Sequence, residues 1–191
     1  MIKIFLDYMS ENNKIHEQEK EYYYYALKQF NEYIIHFVLI ILYGLMSNLL
    51  LACILYLFTM SSKKIFGGSH APNHFLCLVI TYTHFLLTIN LSKNIMIDHF
   101  IIICSFALSI IMIICFAPTD HKNKRLSCYQ KRKLKKLSIH FCFIITVLFV
   151  LFMKNKQSHY ISIIWFCIAS LSFDLLISVI INKKGGNTHE L

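Results

Sequence analysis

Five long apolar runs constrain the fold of this chain more than any other feature of its sequence. They are residues 34–60, 75–91, 99–117, 138–153 and 161–181. Most are close to the length of about 17–25 residues that a helix needs to cross the hydrocarbon core of a bilayer. Together they raise the hydrophobic fraction of the chain to 57%, above the roughly 45–50% that is usual in soluble domains. The sequence therefore predicts a polytopic membrane protein.

Helices are the spanning element that these runs favour. A transmembrane β-barrel is built from short alternating segments, whereas these runs are long and continuous. We therefore expect an all-α integral membrane helix bundle in a single domain. Its parts are an N-terminal segment over residues 1–33, the bundle over 34–181 and a cytoplasmic tail over 182–191. The seven cysteines lie mostly inside apolar runs at irregular spacings, so no disulfide framework is predicted.

The basic residues predict the topology, because cytoplasmic loops collect Lys and Arg. Segment 118–137 is therefore predicted to be cytoplasmic. Counting crossings outward from it places 61–74 and the C-terminal tail inside and 92–98 and 154–160 outside. The eight basic residues of segment 118–137 are Lys122, Lys124, Arg125, Lys131, Arg132, Lys133, Lys135 and Lys136.

The first apolar run, 34–60, is too short for two full spans, and a single crossing would place the N-terminal segment outside. Gly44, Ser47 and Asn48 lie in the middle of this run, as is typical of a helix broken within the membrane. A re-entrant run would leave 16 basic residues inside and 3 outside, whereas a crossing run would give 12 and 7. We predict about four spanning helices plus a re-entrant or broken first apolar helix, with both termini cytoplasmic.

Residues 15–33 contain good helix formers and four consecutive tyrosines that cannot all face one way. An interfacial helix in the headgroup layer would suit tyrosines on more than one side. The alternative is an ordinary soluble cap on the bundle.

The stretch KKIFGGSHAPNHFLC, residues 63–77, concentrates polar chemistry at the predicted cytoplasmic mouth of the second run. Pro72 favours a helix start near itself, which leaves His70 in the preceding loop. Gly67 and Gly68 give that loop the freedom to fold back over the helix. Cys77 would then lie within two turns of a helix N-terminus, where a nearby imidazole favours the nucleophilic thiolate. These residues suggest a Cys77/His70 dyad.

Other interpretations of this stretch stay open. A cysteine at the start of an apolar run can be inert packing. His70, His74 and Cys77 could bind a metal ion, but the stretch lacks the Glu of an HExxH site and Pro72 separates the two histidines. No metal is therefore predicted. His74 and His84 are expected to be interfacial or packed within the bundle.

The stretch GGSHAPNHFLC resembles the GGxHAxxxxxC signature of the accessory gene regulator B (AgrB) family, membrane cysteine endopeptidases of Gram-positive bacteria. The likeness extends to the Ala117-Pro118 step, the polybasic segment after it and two further spans. The chain departs from the family in having Lys63 and Lys64 where arginines are frequent, and KRL where a KP step is common. A lysine binds a carboxylate as a point charge and not with a bidentate fork.

The resemblance implies that the chain cleaves the tail from a quorum-sensing precursor peptide at the cytoplasmic face of the cell membrane. The precursor would carry an amphipathic leader, a Cys or Ser in its core and an acidic tail. Cys77 would form a thioester, which the core residue resolves into a thiolactone or lactone, and no cofactor is required. The expected contacts of the tail are Lys63, Lys64, Lys122, Lys124, Arg125, Lys131, Arg132 and Lys133. The alternative function is a non-enzymatic membrane transporter or scaffold protein.

Two further charge features bear on partners. The basic residues of segment 118–137 can equally serve to set the topology of the chain beside anionic lipid. Placing Lys and Arg on the cytoplasmic side accounts for their excess over Asp and Glu, so no nucleic-acid partner is predicted. Asp174 lies inside the last apolar run, where a carboxylate is costly and usually paired. We expect it to pair with a histidine or lysine of another span, or to lie at a contact in a homodimer.

Overall fold

The computed structural model describes residues 8–9, 19–66, 74–94, 98–119 and 126–186, and these residues form helices without strands. The all-α prediction is confirmed. The chain divides into two compact units, Met1–Leu50 and Leu51–Leu191, and the prediction of a single domain stays a prediction. In chain order the helices are α1 (Lys20–Met46), α2 (Leu50–Ser61), α3 (Lys63–Phe66), α4 (His74–Asn94), α5 (His99–Phe116), α6 (Cys128–Lys154) and α7 (Ser158–Gly186).

The first apolar run is broken, as its sequence predicts. Helix α1 runs through residue 33 without interruption and ends at Met46. The Asn48 backbone has a φ of 55°, in the left-handed region that asparagine tolerates better than most residues. The Leu49 amide donates a hydrogen bond back to the Gly44 carbonyl at 2.8 Å. Residues 20–33 of the N-terminal segment and the start of the run thus share one helix, and a second helix begins at Leu50.

Neither half of the broken run is long enough to cross a bilayer by itself. The apolar part of α1, Tyr33–Met46, and the whole of α2 are both shorter than 18 residues. Helix α2 has 12 residues, so it is about 18 Å long, against a hydrocarbon core of about 30 Å. Whether the run re-enters or crosses stays a prediction.

Three helices within the described ranges are long and apolar enough to cross a membrane. They are α5 with 18 residues, α6 with 27 and the first 24 residues of α7, ending at Ile181. These helices cover the last three predicted runs and indicate a membrane protein. Helix α4 covers the second run with 21 residues. The structure describes only some of their side chains. The predicted total of about four crossings stays a prediction.

Helix α7 is the central helix of the second unit, since it packs against α4, α5 and α6. Its buried face includes Ile163, Ile164 and Ile168. Trp165 Nε1 donates a hydrogen bond to Ser105 Oγ of α5 at 2.6 Å. Small residues are frequent along α7, which allows helices to approach closely in a membrane, where apolar burial alone does not drive association.

Helix α6 begins well before the apolar run at residue 138 that predicts it. Ser127 accepts a hydrogen bond from the Gln130 amide, and the Gln130 side chain accepts one from the Ser127 amide. This reciprocal capping box satisfies two amides that the first turn leaves without helical partners. The basic residues of the next turns are good helix formers. Half of the polybasic segment is therefore helical and not a loop.

Candidate active site

Much of the predicted catalytic motif lies outside the described residues. This holds for Gly67, Gly68, His70 and Pro72, and for the side chain of Cys77. Helix α4 is described from His74 onward, so the Cys77 backbone lies in the first described turn of this helix. The Cys77/His70 dyad and the alternative metal site with His74 stay predictions.

The chain that leads into this motif is held by hydrogen bonds around Ser62. Helix α3 is a single turn, Lys63–Phe66, and its last residue directly precedes Gly67. The Ile65 and Phe66 amides both donate hydrogen bonds to the Ser62 carbonyl, at 2.8 Å and 3.0 Å. The Ser62 hydroxyl is buried and donates to the Thr59 carbonyl of α2 at 2.6 Å. Helix α3 therefore continues directly from the end of α2.

Lys63 of α3 forms an ion pair with Asp174 of α7. Lys63 Nζ lies 2.6 Å from Asp174 Oδ2, and the two side chains are 39% and 20% exposed. The expectation that Asp174 pairs with a lysine is confirmed, although that lysine lies in a one-turn helix and not in a second span. An ionised carboxylate within an apolar helix is stabilised by such a partner. Lys63, a predicted tail contact, is engaged with this carboxylate in the structure.

The other end of α3 is joined to the Ala117-Pro118 step. The Thr119 amide donates a hydrogen bond to the Phe66 carbonyl at 3.1 Å. The Ser178 hydroxyl of α7 donates to Thr119 Oγ1 at 3.3 Å. The chain that leaves α5 therefore contacts both α3 and α7 at the entrance to the motif.

Phe66 also anchors α3 through its side chain. The side chain is almost fully buried, with 1% exposed. Its ring packs edge-on against the ring of Phe141 of α6, with centroids 5.6 Å apart. Phe58 of α2 lies on the same Phe141 ring at a centroid distance of 5.2 Å. Three helices thus share one aromatic cluster directly before Gly67.

Lys135 binds the carboxyl end of α5. Its Nζ donates hydrogen bonds to the Ala117 carbonyl at 2.9 Å and to the Ile114 carbonyl. A helix C-terminus carries partial negative charge and unpaired carbonyls, which a lysine ammonium complements. One member of the polybasic segment is therefore used within the protein.

Three consecutive basic residues near the start of α6 have exposed side chains. They are Lys131, Arg132 and Lys133, and we call them the basic cluster. They lie near the N-terminus of α6, where the helix dipole is also positive. An anion near this end of α6 would be attracted by the side chains of the basic cluster and by the partial positive charge of the helix N-terminus. Lys122, Lys124 and Arg125 lie outside the described residues, and so does the side chain of Lys64.

His84 is packed within the bundle, as expected. The buried Tyr56 hydroxyl lies 3.1 Å from His84 Nδ1 and 3.3 Å from the Thr81 carbonyl. The Tyr56 ring also packs edge-on against Phe85 at a centroid distance of 5.0 Å. These contacts join α2 to α4 and give His84 a structural role.

The sequence model of accessory gene regulator B matches residues 2–180 of the chain. The chain belongs to the accessory gene regulator B family. Members of this family take part in the processing of quorum-sensing peptides. No curated protein and no solved structure matches the chain.

The site of this family member includes residues that sequence reasoning did not assign to it. Thr119 and Phe66 contribute through a backbone hydrogen bond and a buried ring, and neither interaction depends on a recognisable motif. In the sequence, Lys135 is only one charge of a polybasic segment. The spacing of Lys135 four residues after Lys131 places both on one helical face, but only once Cys128 is known to begin the helix.

Proposed function

We propose that this member of the accessory gene regulator B family is a cysteine endopeptidase that removes the acidic tail of a quorum-sensing precursor peptide. It then promotes cyclisation of the remaining peptide to a thiolactone or lactone. Family membership over residues 2–180 is the observation that carries the proposal. It is supported by the presence in this chain of every fixed position of the GGxHAxxxxxC signature.

The proposed reaction has two acyl transfers. His70 takes the proton of the Cys77 thiol, and the thiolate attacks the carbonyl carbon that precedes the tail. The peptide bond breaks, the proton passes to the amine of the departing tail, and a thioester to Cys77 remains. An internal thiol or hydroxyl of the precursor then attacks this thioester, closes the ring and releases Cys77 as a thiol.

The start of α4 supports the role of Cys77. Pro72 favours a helix start near itself, and the helix is described from His74. We therefore place the cysteine close to a helix N-terminus, where positive partial charge stabilises a thiolate. A site near apolar helices also limits access of water, which would otherwise hydrolyse the thioester before the ring closes.

The basic residues supply the proposed recognition of the tail. The exposed basic cluster on α6 is accessible to an acidic peptide, and Lys64, Lys122, Lys124 and Arg125 are proposed to extend it. We place the motif and these charges at the cytoplasmic face of a multi-pass protein of the cell membrane, as the distribution of Lys and Arg favours. The lipid bilayer is the second partner, a homodimer is compatible with the proposal, and neither a metal ion nor nucleic acid takes part.

The decisive experiment uses the purified chain in proteoliposomes with a short precursor peptide. The precursor is the product of a neighbouring reading frame that encodes a short peptide with an acidic tail. Mass spectrometry should show the released tail and the cyclic product. Cys77→Ser and His70→Ala should abolish release, whereas Cys128→Ser should not, because that exposed cysteine belongs to the cap region of α6.

The proposal fails if Cys77→Ser and His70→Ala both cleave the precursor as fast as the unaltered chain. A complete lack of cleavage by the unaltered chain would favour a transporter or scaffold. Loss of activity on addition of a chelator would favour the metal site of His70, His74 and Cys77 instead.

A further inference from the structure

Helix α3 is too short to hold its own position. A single turn fixes several backbone dihedrals for very few hydrogen bonds, so it is not stable without tertiary contacts. Its four residues, Lys63–Phe66, are nevertheless contacted at both ends. The position of this turn is therefore set by the residues that contact it.

The two ends of α3 are held by different kinds of contact. At the carboxyl end, the Phe66 carbonyl accepts a hydrogen bond from the Thr119 amide, and the Phe66 ring packs on Phe141. At the amino end, Lys63 Nζ lies 2.6 Å from Asp174 Oδ2. The amino end also continues from α2 through Ser62, and the ion pair is the direct side-chain contact that joins α3 to α7.

The direction of α3 matters because the catalytic motif begins at its carboxyl end. Phe66 directly precedes Gly67 and Gly68, and His70 lies only four residues after Phe66. Glycines place few restrictions on the path of the chain, so the anchored helix has to fix the point from which the His70 segment departs.

We propose that Asp174 is a positioning residue for the Cys77/His70 pair and that it acts through Lys63. This inference rests on the proposed cysteine endopeptidase activity. Asp174 does not contact the substrate or the reacting atoms. It fixes Lys63, and Lys63 fixes the turn from which His70 is delivered to Cys77.

This role differs from a direct role of Lys63 in substrate binding, and the two make opposite predictions. If Lys63 bound the acidic tail, Asp174→Asn would release the lysine for that task and would lower KM or leave it unchanged. Lys63→Met would raise KM. In the positioning role, both variants lower kcat and leave KM nearly unchanged, because the basic cluster still binds the tail.

The experiment measures kcat and KM for cleavage of the same precursor peptide by the full chain in proteoliposomes. We expect Asp174→Asn and Lys63→Met each to lower kcat by about 100-fold, the cost of a misplacement of roughly 1 Å in an active site. The exchanged pair, Lys63→Asp with Asp174→Lys, should recover most of the lost kcat. The exchanged pair places an aspartate at position 63. If Lys63 bound the acidic tail directly, this negative charge would repel the tail, and kcat and KM would not recover.

Asp98→Asn is the matched control for loss of a carboxylate. Asp98 accepts a hydrogen bond from the Phe100 amide at the start of α5. Asparagine keeps this acceptor, so the variant removes only a negative charge, at a distance from α3 in the sequence. Its kcat should stay that of the unaltered chain. Thermal unfolding in detergent is recorded for every variant, so that a loss of kcat can be compared with a loss of stability.

A second measurement follows the Cys77 thiol directly. In a chain whose other six cysteines are replaced by serine, the rate of alkylation by iodoacetamide at neutral pH reports how far Cys77 is deprotonated. Asp174→Asn should slow this reaction, and the exchanged pair should restore it.

The outcomes separate the two proposals. If the unaltered chain cleaves the precursor and Asp174→Asn does so with the same kcat, the positioning role is wrong while the endopeptidase stands. An exchanged pair that folds but does not recover kcat also overturns the positioning role. If the unaltered chain does not cleave the precursor at all, the proposed function fails, and the inference fails with it.

Discussion

The Thr119 amide donates a hydrogen bond to the Phe66 carbonyl at 3.1 Å, and this bond joins two segments that lie far apart in the sequence. One is the chain leaving α5, and the other is the last residue before Gly67. The Ser178 hydroxyl of α7 reaches the same threonine. The entrance to the predicted catalytic motif is thus held by residues from three parts of the chain.

The buried ring of Phe66 should contribute strongly to stability. We expect Phe66→Ala to lower the free energy of unfolding by about 3–5 kcal/mol, because it removes a fully buried ring and leaves a cavity beside Phe141. Phe143→Ala is the control, since Phe143 is 70% exposed on α6. Denaturant unfolding followed by circular dichroism in detergent measures both variants. Equal effects of the two substitutions would contradict the packing of Phe66 on Phe141.

Lys135 should stabilise the fold more than its basic neighbours do. Lys135→Met removes the donor to the Ala117 carbonyl and a positive charge at the C-terminus of α5, which should cost about 1–2 kcal/mol. Lys136→Met, at an exposed neighbour, should change stability by less than about 0.5 kcal/mol. The same unfolding measurement applies. If Lys135→Met loses no more stability than Lys136→Met, the assigned contact is refuted.

The basic cluster should govern binding of the acidic tail. Replacing Lys131, Arg132 and Lys133 together by glutamine should raise KM for the precursor and flatten the dependence of cleavage on salt. The physical reason is that salt screens exposed charges over a Debye length of about 8–10 Å at ordinary ionic strength. KM is measured at several salt concentrations.

A precursor whose tail carries Asn and Gln in place of Asp and Glu is the control for this experiment. It should have the same KM with the unaltered chain and with the triple variant. If the triple variant instead keeps both the KM and the salt dependence of the unaltered chain, the cluster serves only lipid or topology.

The first apolar run should return to the side from which it enters. In a chain whose native cysteines are replaced, Asn31→Cys should react with a membrane-impermeant thiol reagent only after the cells are opened, since we predict a cytoplasmic N-terminal segment. Lys156→Cys, in the turn between α6 and α7, should react in intact cells. Labelling of Asn31→Cys in intact cells would show that the run crosses the membrane.

Local sequence predicts some bounds of the described helices and not others. Long apolar runs predict α5, α6 and α7 because a chain in lipid has to satisfy its backbone hydrogen bonds internally. The break after Met46 is visible in Gly44, Ser47 and Asn48. The start of α6 is not, since its cap, Ser127, is separated from the apolar run by the polar turns that carry the basic cluster.

Some features of the candidate site are likewise predicted from the sequence and others are not. Its chemical groups, Cys77 and His70, are predicted from a motif of fixed spacing, which is a property of the sequence alone. The partners of Lys63 and Lys135 could not be predicted in this way. Several carbonyls and carboxylates could have accepted from each ammonium, and only helix packing decides which of them comes within hydrogen-bonding distance.

The sequence by itself determined that this is an all-α chain suited to a membrane, where its first apolar run breaks, and to which family it belongs. These properties depend on apolar run length, backbone preference and the order of residues, all of which are local. Only the tertiary structure decided that Asp174 pairs with Lys63 and that Thr119 holds Phe66. Each of these contacts joins residues more than fifty positions apart, and it exists because the helices of the second unit pack against one another.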